Sequence, residues 1–92
     1  MIMSFRDKDT QKVFLDSPVR RLQEVERIAR RKLLWLHAAE RLEQLAVPPG
    51  NRLEALRGDR AGQYSIRING RWRICFRWVQ GHVYQAEIVD YH

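Results

Sequence analysis

A period-two alternation of apolar residues fills the last third of the chain and restricts the fold more than any other feature. Three runs carry it, at residues 63–68, 72–78 and 83–89. Alternation at that period marks strands with one buried face. Asn69-Gly70 separates the first two runs. That dipeptide favours a two-residue hairpin, because both positions accept positive φ. Val79-Gln80-Gly81-His82 supplies the next reversal. The pattern predicts an antiparallel meander.

Parity divides the middle run. Trp72, Ile74, Phe76 and Trp78 point one way, and Arg71, Arg73, Cys75 and Arg77 the other. The first run repeats this, with Tyr64, Ile66 and Ile68 opposite Gln63, Ser65 and Arg67. One face is therefore a core and the other a ladder of guanidinium groups. Two readings fit the ladder. One is a solvated basic surface, on which like charges on neighbouring strands repel. The other is a phosphate site, because Arg presents a planar fork of donors that matches phosphate oxygens.

Upstream the period changes. Leu22, Val25, Ile28, Ala29, Leu33 and Leu36 recur at three- and four-residue steps, which predicts an amphipathic helix. Arg20, Arg27, Arg30 and Arg31 lie mostly off that stripe, and Trp35 reads as a packing residue beside it. A short helix is expected from Asp9 or Thr10 to about Leu15, ended by Asp16-Ser17-Pro18. Residues 38–45 read as a third helix or a continuation, with Leu42 and Leu45 inward. Val47-Pro48-Pro49-Gly50 then breaks helix. Residues 52–56 read as a strand, residues 57–62 as a loop, and residues 1–5 as an edge strand that joins the meander. Helices before the break and strands after it make the class α+β, with N-terminal helices on one face of a mainly antiparallel sheet.

A chain of 92 residues makes one domain, 1–92. Its net charge of +6 suggests a polyanionic partner such as nucleic acid. A single cysteine without a signal peptide points to a reducing cytoplasm. No run approaches the roughly 20 apolar residues that span a bilayer, so no membrane is expected. Three histidines and one cysteine lie far apart, without metal-ligand spacing, and no metal or cofactor is expected. His37 reads as a surface or packing residue, His82 as a turn residue, and Cys75 as a small packing group.

The remaining chemistry is carried by Arg73, Tyr91 and His92. Alternation along Gln85, Glu87, Val89 and Tyr91 puts Tyr91 on one face of the last strand. Whether Arg73 shares that face depends on register, which the sequence leaves open. Antiparallel pairing would bring the end of the last strand to the start of the middle one. A cation, a phenol and an imidazole would then meet. Cleavage of RNA by its own 2′-OH needs such a set: one group takes the hydroxyl proton, one protonates the leaving 5′-oxygen, and a cation stabilises the phosphorane. His92 is the natural proton carrier, because imidazole titrates near working pH. Tyr91 has three open roles: hydrogen-bond donor, acid, or stacking platform for a base.

The segments at residues 48–56, 58–69, 72–76 (Trp-Arg-Ile-Cys-Phe) and 87–92 (Glu-Ile-Val-Asp-Tyr-His) resemble the HigB-type toxins of the RelE/ParE superfamily. Ser4-Phe5-Arg6-Asp7 and Arg31-Lys32-Leu33 fit as well, so the likeness covers nearly the whole chain. The resemblance implies a compact α+β toxin that enters the ribosomal A site, against 16S rRNA, and cleaves mRNA. It implies a helix-turn-helix antitoxin of the HigA type, through which the complex reaches operator DNA. It makes Arg73, Tyr91 and His92 the catalytic residues, with Asp90 and Glu54 in support. Arg57 falls near the same loop, and its pKa above about 12 suits phosphate binding rather than proton transfer. Arg52, Arg67 and Arg71 are the further RNA or phosphate contacts expected, with Arg77 beside them. Some members of the superfamily poison DNA gyrase without catalysis, so a protein-binding toxin is the alternative expectation. A third is a protein whose main role is to hold its partner in a repressor complex.

Overall fold

The computed structural model describes residues 1–90. Four strands form one antiparallel sheet in chain order: β1 (Glu54–Ala55), β2 (Tyr64–Arg67), β3 (Trp72–Val79) and β4 (His82–Asp90). Two helices, α1 (Lys8–Phe14) and α2 (Glu26–Ala38), precede them. The α+β class and the meander are thus as expected.

The core lies between the helices and one sheet face. Val13 of α1 and Ala29, Leu33 and Leu36 of α2 meet Ile66, Ile74, Phe76, Val83, Ala86 and Ile88. Each fully buried large aliphatic or aromatic side chain here contributes about 1.5–3 kcal/mol. The apolar stripe begins before α2 does. Leu22 ends a 3-10 turn (Arg20–Leu22) and Val25 caps α2, yet both are buried. Asp7, not Asp9 or Thr10, caps α1, and its side chain accepts from the Thr10 backbone N–H. Thr10 is instead fully buried, and its Oγ1 accepts from the Ile88 N–H at 2.9 Å, which ties α1 to β4.

Several local expectations are corrected. Of residues 38–45, Ala38 ends α2 and the rest do not extend it. They pass through an extended Ala39 into a 3-10 turn (Leu42–Ala46) that still buries Leu45. Pro48 and Pro49 lack an N–H and leave no room for a longer helix. The strand foreseen over residues 52–56 shrinks to two residues, because Arg52 sits in the left-handed region at φ 48. Asn69-Gly70 does not form a two-residue turn. Ile68 N–H donates to the Trp72 carbonyl, so three residues span the reversal, and neither Asn69 nor Gly70 has positive φ. Asn69 Oδ1 accepts from the Arg71 and Trp72 N–H groups at 2.9 Å and closes this loop through its side chain. The two-residue turn lies one hairpin later, at Gln80 (φ 49) and Gly81 (φ 82) between the paired Val79 and His82.

Alternation along the last strand is also broken. Cys75 pairs with Glu87 but Arg77 pairs with Tyr84, so Phe76 opposes two residues, Gln85 and Ala86. Gln85 is the bulge, at φ 55, and its N–H donates to Ser4 Oγ. The core positions are consequently Val83, Ala86 and Ile88 rather than every second residue. Residues 1–5 do join the meander, through parallel bridges Ile2–Val83 and Phe5–Ala86 on the outer side of β4. His37 is a packing residue: its ring lies 5.3 Å from that of Phe14, and its Nδ1 accepts from Ile2 N–H. Trp35 is 42% exposed, contrary to its packing assignment, and lines a shallow cavity of about 200 Å³ with Ala38, Ala39, Gln44 and Leu45.

Candidate active site

The second face of the sheet is not an open ladder of charges. Its centre is buried: Ser65 and Cys75 are fully enclosed, and Arg73 is only 9% exposed. A guanidinium that leaves water needs partners, because an isolated buried charge is prohibitively costly. Three are present. Arg73 Nε donates to Ser65 Oγ at 2.9 Å. Nη2 donates to the Arg52 carbonyl at 2.8 Å and lies 3.1 Å from Glu54 Oε1. These partners come from three places in the chain. Ser65 is on β2, Glu54 on β1, and Arg52 in the turn before β1, where the left-handed backbone aims its carbonyl.

Register sets which described residues flank Arg73. Arg67 and Arg73 are cross-strand partners, as are Arg73 and Val89. The end of β4 therefore does return to the start of β3. Glu54 pairs with Ser65 and Ser65 with Cys75, which completes a polar row across the face. Farther along the row, Glu87 accepts from Arg60 Nη1 at 3.3 Å and lies 3.8 Å from Arg6 Nε. Burial pushes the Cys75 thiol above its ordinary value of 9.0, which keeps it protonated and makes it a packing group, not a nucleophile.

Arg71 and Asp90 form a separate pair at the hairpin end. Asp90 Oδ2 accepts from Arg71 Nε at 3.0 Å and Nη2 at 2.8 Å, and the guanidinium lies 5.1 Å from the Trp72 ring centroid. This hydrogen bond and the carboxylate charge raise Arg71 further above its already high range. Asp90 thus supports an arginine in the described residues. Arg57 is exposed at the head of a 3-10 turn (Gly58–Arg60), and Arg52 contributes its carbonyl to Arg73 while its side chain is exposed. Tyr91 and His92 lie outside the described residues. Among the described residues, no three His, Cys, Asp or Glu side chains gather as a metal site, and no helix is long and apolar enough to cross a membrane.

Sequence reasoning missed Ser65 as a partner of Arg73, and it missed Lys32 and Asn51. Lys32 Nζ donates to Asn51 Oδ1 at 2.7 Å and to the Arg67 carbonyl at 2.8 Å. Ser65 stood on the correct face by parity, but only register shows that it meets Arg73. No local signal marks Lys32 or Asn51, whose contact spans 19 residues.

Fold and site together define a small basic α+β protein whose sheet holds one enclosed arginine beside a carboxylate. Comparison with known proteins makes this specific. The family model for the HigB-like toxin, a RelE-like toxin of type II toxin-antitoxin system HigB, matches residues 3–92. Toxin HigB-1 of Vibrio cholerae is 40% identical over 83 residues, covering 88% of this chain and 87% of that one. Endoribonuclease HigB of Proteus vulgaris is 42% identical over 41 residues, 45% of each chain. A solved YoeB-YefM complex from Staphylococcus aureus shares the fold, with a TM-score of 0.57 at 18% identity over 100% of this chain and 98% of that one. The chain belongs to the HigB-like family of RelE-like toxins of type II toxin-antitoxin systems.

Proposed function

We propose that this toxin, a single domain over residues 1–92, is an endoribonuclease that cuts mRNA in the ribosomal A site. The observation that carries the reading is the enclosed Arg73, fixed by Ser65, the Arg52 carbonyl and Glu54 on the sheet face. A preorganised guanidinium stabilises charge that develops on a phosphorane without reorganising at the moment of reaction. The endoribonuclease name of the Proteus vulgaris relative supports the same reading.

In this scheme the ribose 2′-OH attacks the adjacent phosphorus and the P–O5′ bond breaks. A 2′,3′-cyclic phosphate and a free 5′-hydroxyl result. The phosphate meets Arg73, and Glu54, on the exposed side of the guanidinium, takes the hydroxyl proton. Tyr91 and His92 supply the proton to the leaving 5′-oxygen. Arg52, Arg57, Arg67 and Arg71 add phosphate contacts along the RNA, and Asp90 orients Arg71. A HigA-type helix-turn-helix antitoxin neutralises the toxin in the cytoplasm and carries it to operator DNA.

Primer extension on cellular mRNA after induction tests this. New internal 5′ ends that vanish in Arg73→Ala are expected. Growth arrest without new ends would replace the nuclease by a toxin that binds a protein target such as DNA gyrase.

A further inference from the structure

The carbonyl that anchors Arg73 belongs to a residue in an unfavourable conformation. Arg52 has φ 48 and ψ 54, a region that residues other than Gly, Asn and Asp seldom occupy. Such a backbone persists only where its surroundings over-determine it. The residue before it supplies that restraint. Asn51 is fully buried, and its Nδ2 donates to the Leu45 carbonyl at 3.1 Å and toward that of Val47 at 3.5 Å. Its Oδ1 accepts from Lys32 Nζ at 2.7 Å. The same ammonium donates to the Arg67 carbonyl at 2.8 Å, and Arg67 is the cross-strand partner of Arg73. One lysine on α2 therefore grips both sides of Arg73: the turn that holds Nη2 and the strand that lies opposite.

We propose that Lys32 and Asn51 are positioning residues, which hold the Arg52 carbonyl and the β2 backbone so that the Arg73 guanidinium keeps one orientation toward the scissile phosphate. This rests on Arg73 as the phosphate-binding cation. Lys32 acts through Asn51 and Arg67, not on substrate. The residue types suit the task. An ammonium has three donors and no acceptor, and two are spent on oxygens that must converge. An amide at position 51 satisfies carbonyls with one end and accepts the ammonium with the other. Leucine there would take this donor from the Leu45 and Val47 carbonyls and, among the described residues, leave Lys32 with the Arg67 carbonyl alone.

The test compares the full-length wild type with Lys32→Met and Lys32→Arg. Two quantities are read: mRNA cleavage on programmed ribosomes, and hydrogen exchange of the Arg73 Nε–H by 15N NMR. Lys32→Met is expected to lower kcat by roughly tenfold to a hundredfold while KM changes little. Arg73 Nε–H exchange should quicken by about tenfold as the guanidinium loses its fixed seat. Lys32→Arg, which keeps the charge and the donors, should recover much of both. Should Lys32→Met fail to fold, Asn51→Ser carries the same two readouts. A folded variant with wild-type kcat and unchanged Arg73 exchange overturns the proposal. A wild-type chain that cuts no RNA sinks the nuclease reading instead, and the exchange measurement still decides the clamp.

Discussion

Arg73 Nη2 lies 3.1 Å from Glu54 Oε1, a contact made across β2 from one side of it to the other. The two groups differ in exposure. The Arg73 side chain is 11% exposed and that of Glu54 53%. The arginine is a fixed part of the sheet, whereas the carboxylate is its solvent-facing lid. Under the proposed function, an incoming phosphate would compete with that carboxylate for the guanidinium and leave the Ser65 and Arg52 anchors intact.

Replacing the guanidinium is expected to remove function without unfolding the chain. Arg73→Ala should reduce cleavage by about 10²–10³-fold, the scale for loss of one preorganised charge stabiliser. Single-turnover cleavage, with a thermal melt beside it, checks this. Growth arrest that persists in a folded Arg73→Ala variant would remove Arg73 from the site.

Glu54→Gln separates binding from catalysis. The neutral amide competes less well for Arg73, so affinity for RNA should rise in a fluorescence-anisotropy titration. Cleavage should fall by about 10²-fold if the carboxylate takes the hydroxyl proton. Faster cleavage by Glu54→Gln would show the carboxylate to be a competitor of substrate only.

The Gln80-Gly81 turn lies at the far end of β3 from Arg73. Gly81 has φ 82, and a Cβ there would meet only the Glu40 carbonyl, at an ordinary 3.5 Å. Gly81→Ala therefore acts through backbone strain, at about 1–3 kcal/mol. Denaturant melts should show that loss, while kcat per folded molecule stays at the wild-type level.

Cys75 makes stability fall in alkali. Burial raises its folded-state pKa above the ordinary 9.0, so the folded chain holds its proton longer than the unfolded one. Its contribution is fully present below 9.0 and is lost as pH rises through the raised value. Melts at pH 8 to 10 on wild type and Cys75→Ala should diverge in that direction. The thiol should also label slowly with a disulfide reagent until the chain unfolds.

Lys32 works with the opposite sign. Burial first, then Arg31 and Arg67, lower its pKa from 10.5. The unfolded chain binds more protons between the lowered value and 10.5, so this group's contribution to stability rises with pH across that window. Lys32→Met should abolish that rise, which the difference between its melts and those of wild type would reveal.

What the sequence determined by itself was local in origin. Period-two runs marked β2, β3 and β4, the three- and four-residue stripe marked α2, and Pro48-Pro49 marked the change from helices to strands. Parity assigned Ile74 and Phe76 to the core and placed Ser65 with Arg73. Motifs at residues 72–76 and 87–92 pointed to the family. Tertiary structure alone decided who holds Arg73. Its partners among the described residues lie 8, 19 and 21 positions away, at Ser65, Glu54 and Arg52, and depend on strand register and a left-handed turn. The Gln85 bulge and the Lys32–Asn51 contact were hidden for the same reason. Periodicity reports which face a side chain takes. A register, a bulge or a hydrogen bond between distant segments is set by packing of the whole core, and no local pattern encodes it.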